Sequence, residues 1–399
     1  MVMLRKSEAS VFQQFTKNRF CGASKCHCIQ PPWEGKGNTM RNLNQASAFS
    51  KKSPYEIYQE WEGIPVYKDF IIPDLLELKL GDWARTGGKA AFVNMDGAGG
   101  TCDIVIEEIA PGGQLKPVRH MYEKAVFILE GQGATTIWNE GGRKHTLEWQ
   151  KGSLFSTPLN TWHQHFNAQG SAPVRMVSLT DAPVIVNRYR NLDYIFNNNF
   201  VFTDRYSGGA DEWGKGGRYL PEVKRGRVWE SNFIADLWGF QPKDYKERGG
   251  DNRTTLFEFV DNTMSAHLSE FPVGKYKKAH RHGAGAHIVM LTGSGYSFLW
   301  PEGEYDTKKR VEWGRMSMFV PPMQWWHQHF NPGPEPARYL ALKPWGFKFK
   351  VEDLKDTGED VKKGGAQIEY EDQHPEIHRI FVNECQRRGA ETRMPMFGT

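Results

Sequence analysis

The chain has 399 residues, of which 39% are hydrophobic, 13% aromatic and 25% charged, with a formal net charge of +4. That length suits two domains of ordinary size, each with a substantial core. No run approaches the roughly 18 apolar residues of a membrane-spanning helix, so neither a helical membrane protein nor a disordered or fibrous chain is expected.

In chain order, residues 1–39 come first and hold six basic residues (Arg5, Lys6, Lys17, Arg19, Lys25, Lys36) against two acidic ones (Glu8, Glu34). This tail carries the whole excess charge. The remainder is neutral overall and has no electrostatic footprint for nucleic acid. The tail reads as a disordered extension, an organelle transit peptide, or a stretch upstream of a true start at Met40. Its Cys21, Cys26 and Cys28 lack a well-placed fourth metal ligand, and only Cys102 and Cys385 lie beyond it. A disulfide-built scaffold is therefore not expected. A reducing compartment is: the cytoplasm, or an organelle if the tail is a transit peptide.

Residues 40–98 read as a helical and extended lead-in. Ser53-Pro54-Tyr55-Glu56 carries a helix-start signature: a capping serine, a first-turn proline and a glutamate three residues after the cap. Residues 99–203 alternate short apolar runs with glycine-rich turns, the pattern of antiparallel strands. Residues 204–252 read as a linker with a short helix around Trp229–Trp238. Residues 253–350 form a second β-rich block. Residues 351–399 form a C-terminal segment whose helix, Pro375 to Arg388, stops at Gly389.

The two β blocks are copies of one another. Pro111–Gly133 aligns without a gap on Val273–Gly295 at a shift of 162, pairing Arg119 with Arg281, His120 with His282, and Gly131 with Gly293. Trp162–Asn167 (WHQHFN) recurs identically as Trp326–Asn331, with Pro158 and Pro322 each five residues before the first histidine. In the second copy, His280 and His282 share one face of an extended segment, and His327 arrives from another strand. Three neutral imidazoles make a site for a divalent transition metal with open coordination positions. In the first copy Val118 stands where His280 stands in the second. His120 and His163 then make a weaker site, unless Glu123, Tyr122 or His165 completes it.

These motifs resemble those of the cupin superfamily, and the chain is similar to a bicupin. The fold so implied is mostly β: two tandem cupin (double-stranded β-helix, jelly-roll) barrels with short flanking helices. The general cupin pattern carries a glutamate after its His-x-His. Here that place holds Ala286 in the second copy and Lys124 in the first. The nearest resemblance is to gentisate 1,2-dioxygenase-like ring-cleaving enzymes, which hold iron with three histidines. They do so in the first barrel, whereas the full set here is in the second, and Gln328 replaces their aspartate.

The resemblance implies an Fe2+-dependent dioxygenase acting on a small, aromatic hydroxy-acid with O2. Mn2+, Zn2+ and Ni2+ are the alternative metals. The competing readings are an oxygen-independent metal-dependent lyase, decarboxylase or isomerase, and a non-catalytic ligand-binding or storage bicupin. His329, two residues after His327, should share its lumen and serve as acid/base. Trp325, Trp326 and His287 are candidate pocket residues, His287 also as an outside fourth ligand. Arg281 and Gln328 should face away, and Asn167 and Asn331 should satisfy turn backbone. The expected partners are a small molecule, O2 and further copies of the chain, with neither nucleic acid nor membrane.

Overall fold

The structure, a computed structural model, describes residues 43–44, 48–209, 213, 216–260, 262–283, 285–348 and 357–395. The basic tail, its cysteines and Met40 lie outside them. The first long element is helix α1 (Pro54–Glu62). Ser53 Oγ accepts from the Glu56 N–H, and the Glu56 carboxylate accepts from the Ser53 N–H, so the capping box forms as the sequence predicts. Gly63, at φ 71°, ends it.

Eight strands build the first barrel: β1 (Lys89–Met95), β2 (Asp103–Ile109), β3 (Lys124–Glu130), β4 (Gln132–Trp138), β5 (His145–Gln150), β6 (Leu154–Thr157), β7 (Trp162–Asn167) and β8 (Val174–Thr180). One sheet orders as β1-β2-β8-β3-β6, and the facing sheet as β7-β4-β5. Helices α2 (Ala182–Tyr189) and α3 (Leu192–Phe196) follow. Nine strands build the second barrel: β9 (Arg253–Glu258), β10 (Ser265–Phe271), β11 (Lys275–Tyr276), β12 (His287–Thr292), β13 (Gly295–Trp300), β14 (Lys309–Trp313), β15 (Met318–Phe319), β16 (Trp326–Asn331) and β17 (Ala337–Lys343). Its sheets order as β9-β10-β17-β12-β15 and β11-β16-β13-β14.

The duplication extends to register. Pairing slips between Arg175 and Met176 on β8, and at the equivalent Arg338 and Tyr339 on β17. Gly133 and Gly295 admit the close approach of β7 and β16. A Cβ on either would lie 2.0 Å from the Phe166 carbonyl oxygen or 2.2 Å from that of Phe330.

The barrels also exchange arms. Ile71–Ile72, from the lead-in, pairs with β15 of the second barrel. Phe233–Ile234, from the linker, pairs with β6 of the first. Beside it Val228–Glu230 runs parallel to β9. The short helix expected around Trp229–Trp238 is therefore absent. Trp229 instead packs edge-on against Tyr219 and Phe240, burying more aromatic surface on the sheet than one exposed helical turn would.

The largest apolar cluster lies between the barrels: Ile104, Phe127, Leu129, Val177 and Leu179 meet Phe257, Leu268, Val289, Leu340 and Leu342. Each large sheet thus turns one face to the partner barrel and the other to its own lumen. At the C-terminus, α4 (Pro375–Arg387) lays Ile377, Phe381 and Cys385 on Tyr276, Trp326 and Phe330, and Gly389, at φ 70°, follows it. Among the described residues no helix is long and apolar enough to cross a membrane.

Candidate metal centre

His280 lies in the extended segment after β11 and exchanges two backbone hydrogen bonds with His327 of β16, at 3.0 and 2.9 Å. This pairing sets the two imidazoles 4.1 Å apart between centroids, and His282 reaches 4.7 Å from His327. One ring nitrogen from each of the three lies within 4.8 Å of the other two. Nδ1 of each faces a backbone carbonyl: Lys278 O at 3.4 Å, Gly283 O at 2.9 Å and Trp325 O at 3.1 Å. A carbonyl only accepts, so Nδ1 carries the proton and Nε2 keeps its lone pair. His327 Nε2 is buried without a hydrogen-bond partner. Burial holds all three rings neutral, pushing His282 down to about 4 and the other two well below the ordinary histidine range. The donor set fits a divalent transition metal.

His329 shares the lumen, 5.6 Å from His327 between ring centroids. Its Nδ1 faces Ser297 Oγ at 2.7 Å, and that oxygen accepts the Trp313 Nε1–H at 3.0 Å. A hydroxyl, unlike a carbonyl, leaves the tautomer free, so His329 is able to present Nε2–H. The first barrel repeats the relay as Trp149, Thr135 and His165.

A cavity of about 120 Å³ opens beside the triad, with His280 and His282 in its wall. Lys224, Arg227, Arg248, Lys277 and Lys343 also line it, and no aspartate or glutamate does among the described residues. Lys277 is buried, its Nζ 2.6 Å from Ser269 Oγ and 3.0 Å from Tyr339 Oη. Burial and the neighbouring Arg248 guanidinium push this amine well below the ordinary lysine range. Arg248 is only 5% exposed, lies 5.4 Å from the centre of the Tyr245 ring, and its Nη1 has no hydrogen-bond partner. Sequence reasoning missed these cations. One signal was available: the aligned repeat sets Lys277 opposite the buried apolar Leu115.

In the first barrel, His120 and His163 do come together, with ring centroids 5.1 Å apart. Glu123 does not join them. Its carboxylate accepts from Arg205 at 2.8 Å and from the Thr263 N–H at 3.0 Å, toward the second barrel. The ring of Tyr122 stacks on His120 at 3.7 Å. Lys124, where the general cupin pattern has its glutamate, is buried and paired with Glu107 at 2.8 Å. Burial first, and the Lys124 ammonium in addition, lower the pKa of His120, His163 and His165. Among the described residues, His280, His282 and His327 form the one group arranged to hold a metal.

The remaining candidates fall elsewhere. Trp325 packs with Phe319 and Phe70, and Trp326 lies under the Arg281 guanidinium at 4.5 Å, so neither walls the cavity. His287 shares its face of β12 with Val289 and Leu291, toward the partner barrel. Its Nδ1 faces Gly285 O at 2.8 Å, away from the triad. Arg281 pairs with Glu302, which also accepts from Trp326 Nε1. Arg119, Glu140 and Trp162 repeat that trio in the first barrel. Gln328 turns from the lumen to donate to Lys277 O at 2.8 Å. Asn167 and Asn331 bind turn carbonyls.

Two packed jelly rolls, one carrying a three-histidine centre, define a duplicated β-barrel protein with a single metal-fit lumen. The Cupin domain family matches residues 105–180, from β2 to β8 of the first barrel. Similar solved structures include the Lactobacillus farciminis oxalate decarboxylase formate complex, at 11% identity over 82% of this chain and 96% of that one, with a TM-score of 0.49. Another is the SENS161-164DSSN mutant of Bacillus subtilis oxalate decarboxylase, at 14% identity over 70% and 78%, with a TM-score of 0.47. No curated protein matches in sequence.

Proposed function

We propose that the second barrel is the active site of a metal-dependent enzyme that transforms a small carboxylate substrate by proton transfer, in the lyase, decarboxylase or isomerase class. The observation that carries this reading is the neutral histidine triad beside a cavity lined with cations and free of described carboxylates. A divalent metal held by Nε2 of His280, His282 and His327 would supply Lewis-acid charge to a substrate oxygen. The cations draw the anionic substrate in and fix its orientation. With its Nδ1 accepting from the Ser297 hydroxyl, His329 can hold a proton on Nε2, and the Tyr339 hydroxyl, beside Lys277 Nζ, holds another. In this reading these two groups donate to a carbon or oxygen that gains electron density.

A second reading, an Fe2+ dioxygenase of an aromatic hydroxy-acid, is favoured by the all-neutral donor set. It is weakened by Trp325 and Trp326, which do not form the slot such a ring would need. Mn2+- and Fe2+-loaded protein should consume a carboxylate from a panel of hydroxy- and keto-acids without oxygen uptake, and His282→Ala should abolish turnover. Uptake of O2 coupled to an aromatic hydroxy-acid, gentisate included, would replace this reading by the second.

A further inference from the structure

The two barrels place a lysine amine at the same point by different routes. Glu107 faces Met176 across β2 and β8, and Ser269 faces Tyr339 across β10 and β17, so register makes Glu107 and Ser269 equivalent. The flanking ion pairs confirm the correspondence: Arg175 with Glu108 at 2.6 Å, and Arg338 with Glu270 at 2.7 Å. In the first barrel Lys124 from β3 meets Glu107, so charge is balanced inside the protein. In the second, Lys277 from β11 meets Ser269, and among the described residues no carboxylate balances it. Ser269 is itself tied to Thr254 at 2.8 Å and Asn252 at 3.0 Å, a neutral network. Arg248 adds a permanent, almost fully buried charge with an unpartnered Nη1 in the same wall. A buried guanidinium without a counter-ion is costly, and an anionic ligand removes that cost.

We propose that Lys277, Tyr339 and Arg248 form the subsite for a carboxylate of the substrate, occupying the place that the first barrel fills with its own Glu107. This rests on the cavity being the substrate pocket. The first barrel carries its anion in the chain, and the second takes it from the ligand. A bound anion beside the Lys277 amine favours its protonated form, so proton uptake from solvent accompanies binding. Arg248, in the same wall, supplies a permanent positive charge. Specificity follows: an acid should bind, and its neutral amide should not.

The test is titration calorimetry on the full chain, metal-free and metal-loaded, with malonate and malonamide in buffers of different ionisation enthalpy. Malonate should bind the metal-free protein with net proton uptake, whereas malonamide should not bind. Ser269→Glu, which installs the equivalent of Glu107, should weaken malonate by about ten-fold or more while leaving the chain folded, and Arg248→Gln should weaken it similarly. Lys277→Met extends the test should Arg248→Gln fail to fold. Equal binding of acid and amide, or unchanged malonate affinity in the folded variants, would overturn the subsite. Acid-selective binding with no turnover of any acid would leave the subsite standing and remove the catalytic reading.

Discussion

Lys124 and Lys277 show how much one partner decides. Lys124 has Glu107 at 2.8 Å, and both side chains are under 10% exposed. Removing the carboxylate leaves a buried ammonium unpaired, so Glu107→Gln should cost about 3–5 kcal/mol in urea unfolding. The double variant Glu107→Leu with Lys124→Met should recover most of that loss, because an apolar pair of similar volume needs no desolvation of charge. The convergence of the three histidines was legible at this scale. Period-two spacing puts His280 and His282 on one face, and the recurring WHQHFN places His327 opposite. Arg248 was not legible, because it lies in the irregular segment before β9, where no periodicity indicates which way a side chain points. Glu123 misled because it stands beside the place of the usual cupin glutamate, where the chain has already turned its carboxylate toward Arg205 and Thr263.

At the scale of elements, the two strand-rich blocks follow the short apolar runs between glycine-rich turns, and α1 follows its capping box. The linker does not: its tryptophans sit in short strands and turns that only a neighbouring sheet edge can stabilise. The junction of β8 and α2 brings two carboxyl groups together, Asp181 and Glu123. Asp181 precedes α2 and accepts the Glu123 N–H at 2.7 Å, while burial and the charge of Glu123 raise its pKa to about 7. A carboxyl whose folded pKa lies above its unfolded value near 4 favours folding while protonated, and that contribution is lost as pH rises from about 4 to 7. Asp181→Asn should therefore stabilise the protein by about 2 kcal/mol at pH 8 and by little at pH 4. Thermal unfolding of both proteins at the two pH values measures the difference.

At the scale of the whole molecule, the barrels share their largest apolar cluster, so neither can expose its large sheet without exposing the other's. Calorimetry should show the described body melting in a single transition. Leu340→Ala, at the centre of that interface, should lower its midpoint, at a cost of about 2–5 kcal/mol, without splitting it. Separate melting of the two barrels would contradict this. Duplication was visible in the sequence. That the two copies pack sheet against sheet was not, because an inward and an outward apolar face look alike in an alternating strand buried on both sides.

The exchanged arms bear on the order in which the chain is made. The eight strands of the first barrel are complete at Thr180, yet its sheet still lacks the Phe233–Ile234 arm until the linker has left the ribosome. The Ile71–Ile72 arm, synthesised early, has no partner until Met318–Phe319 emerges. During translation it is an unpaired strand, open to wrong partners, which places this chain among those whose nascent state needs shielding.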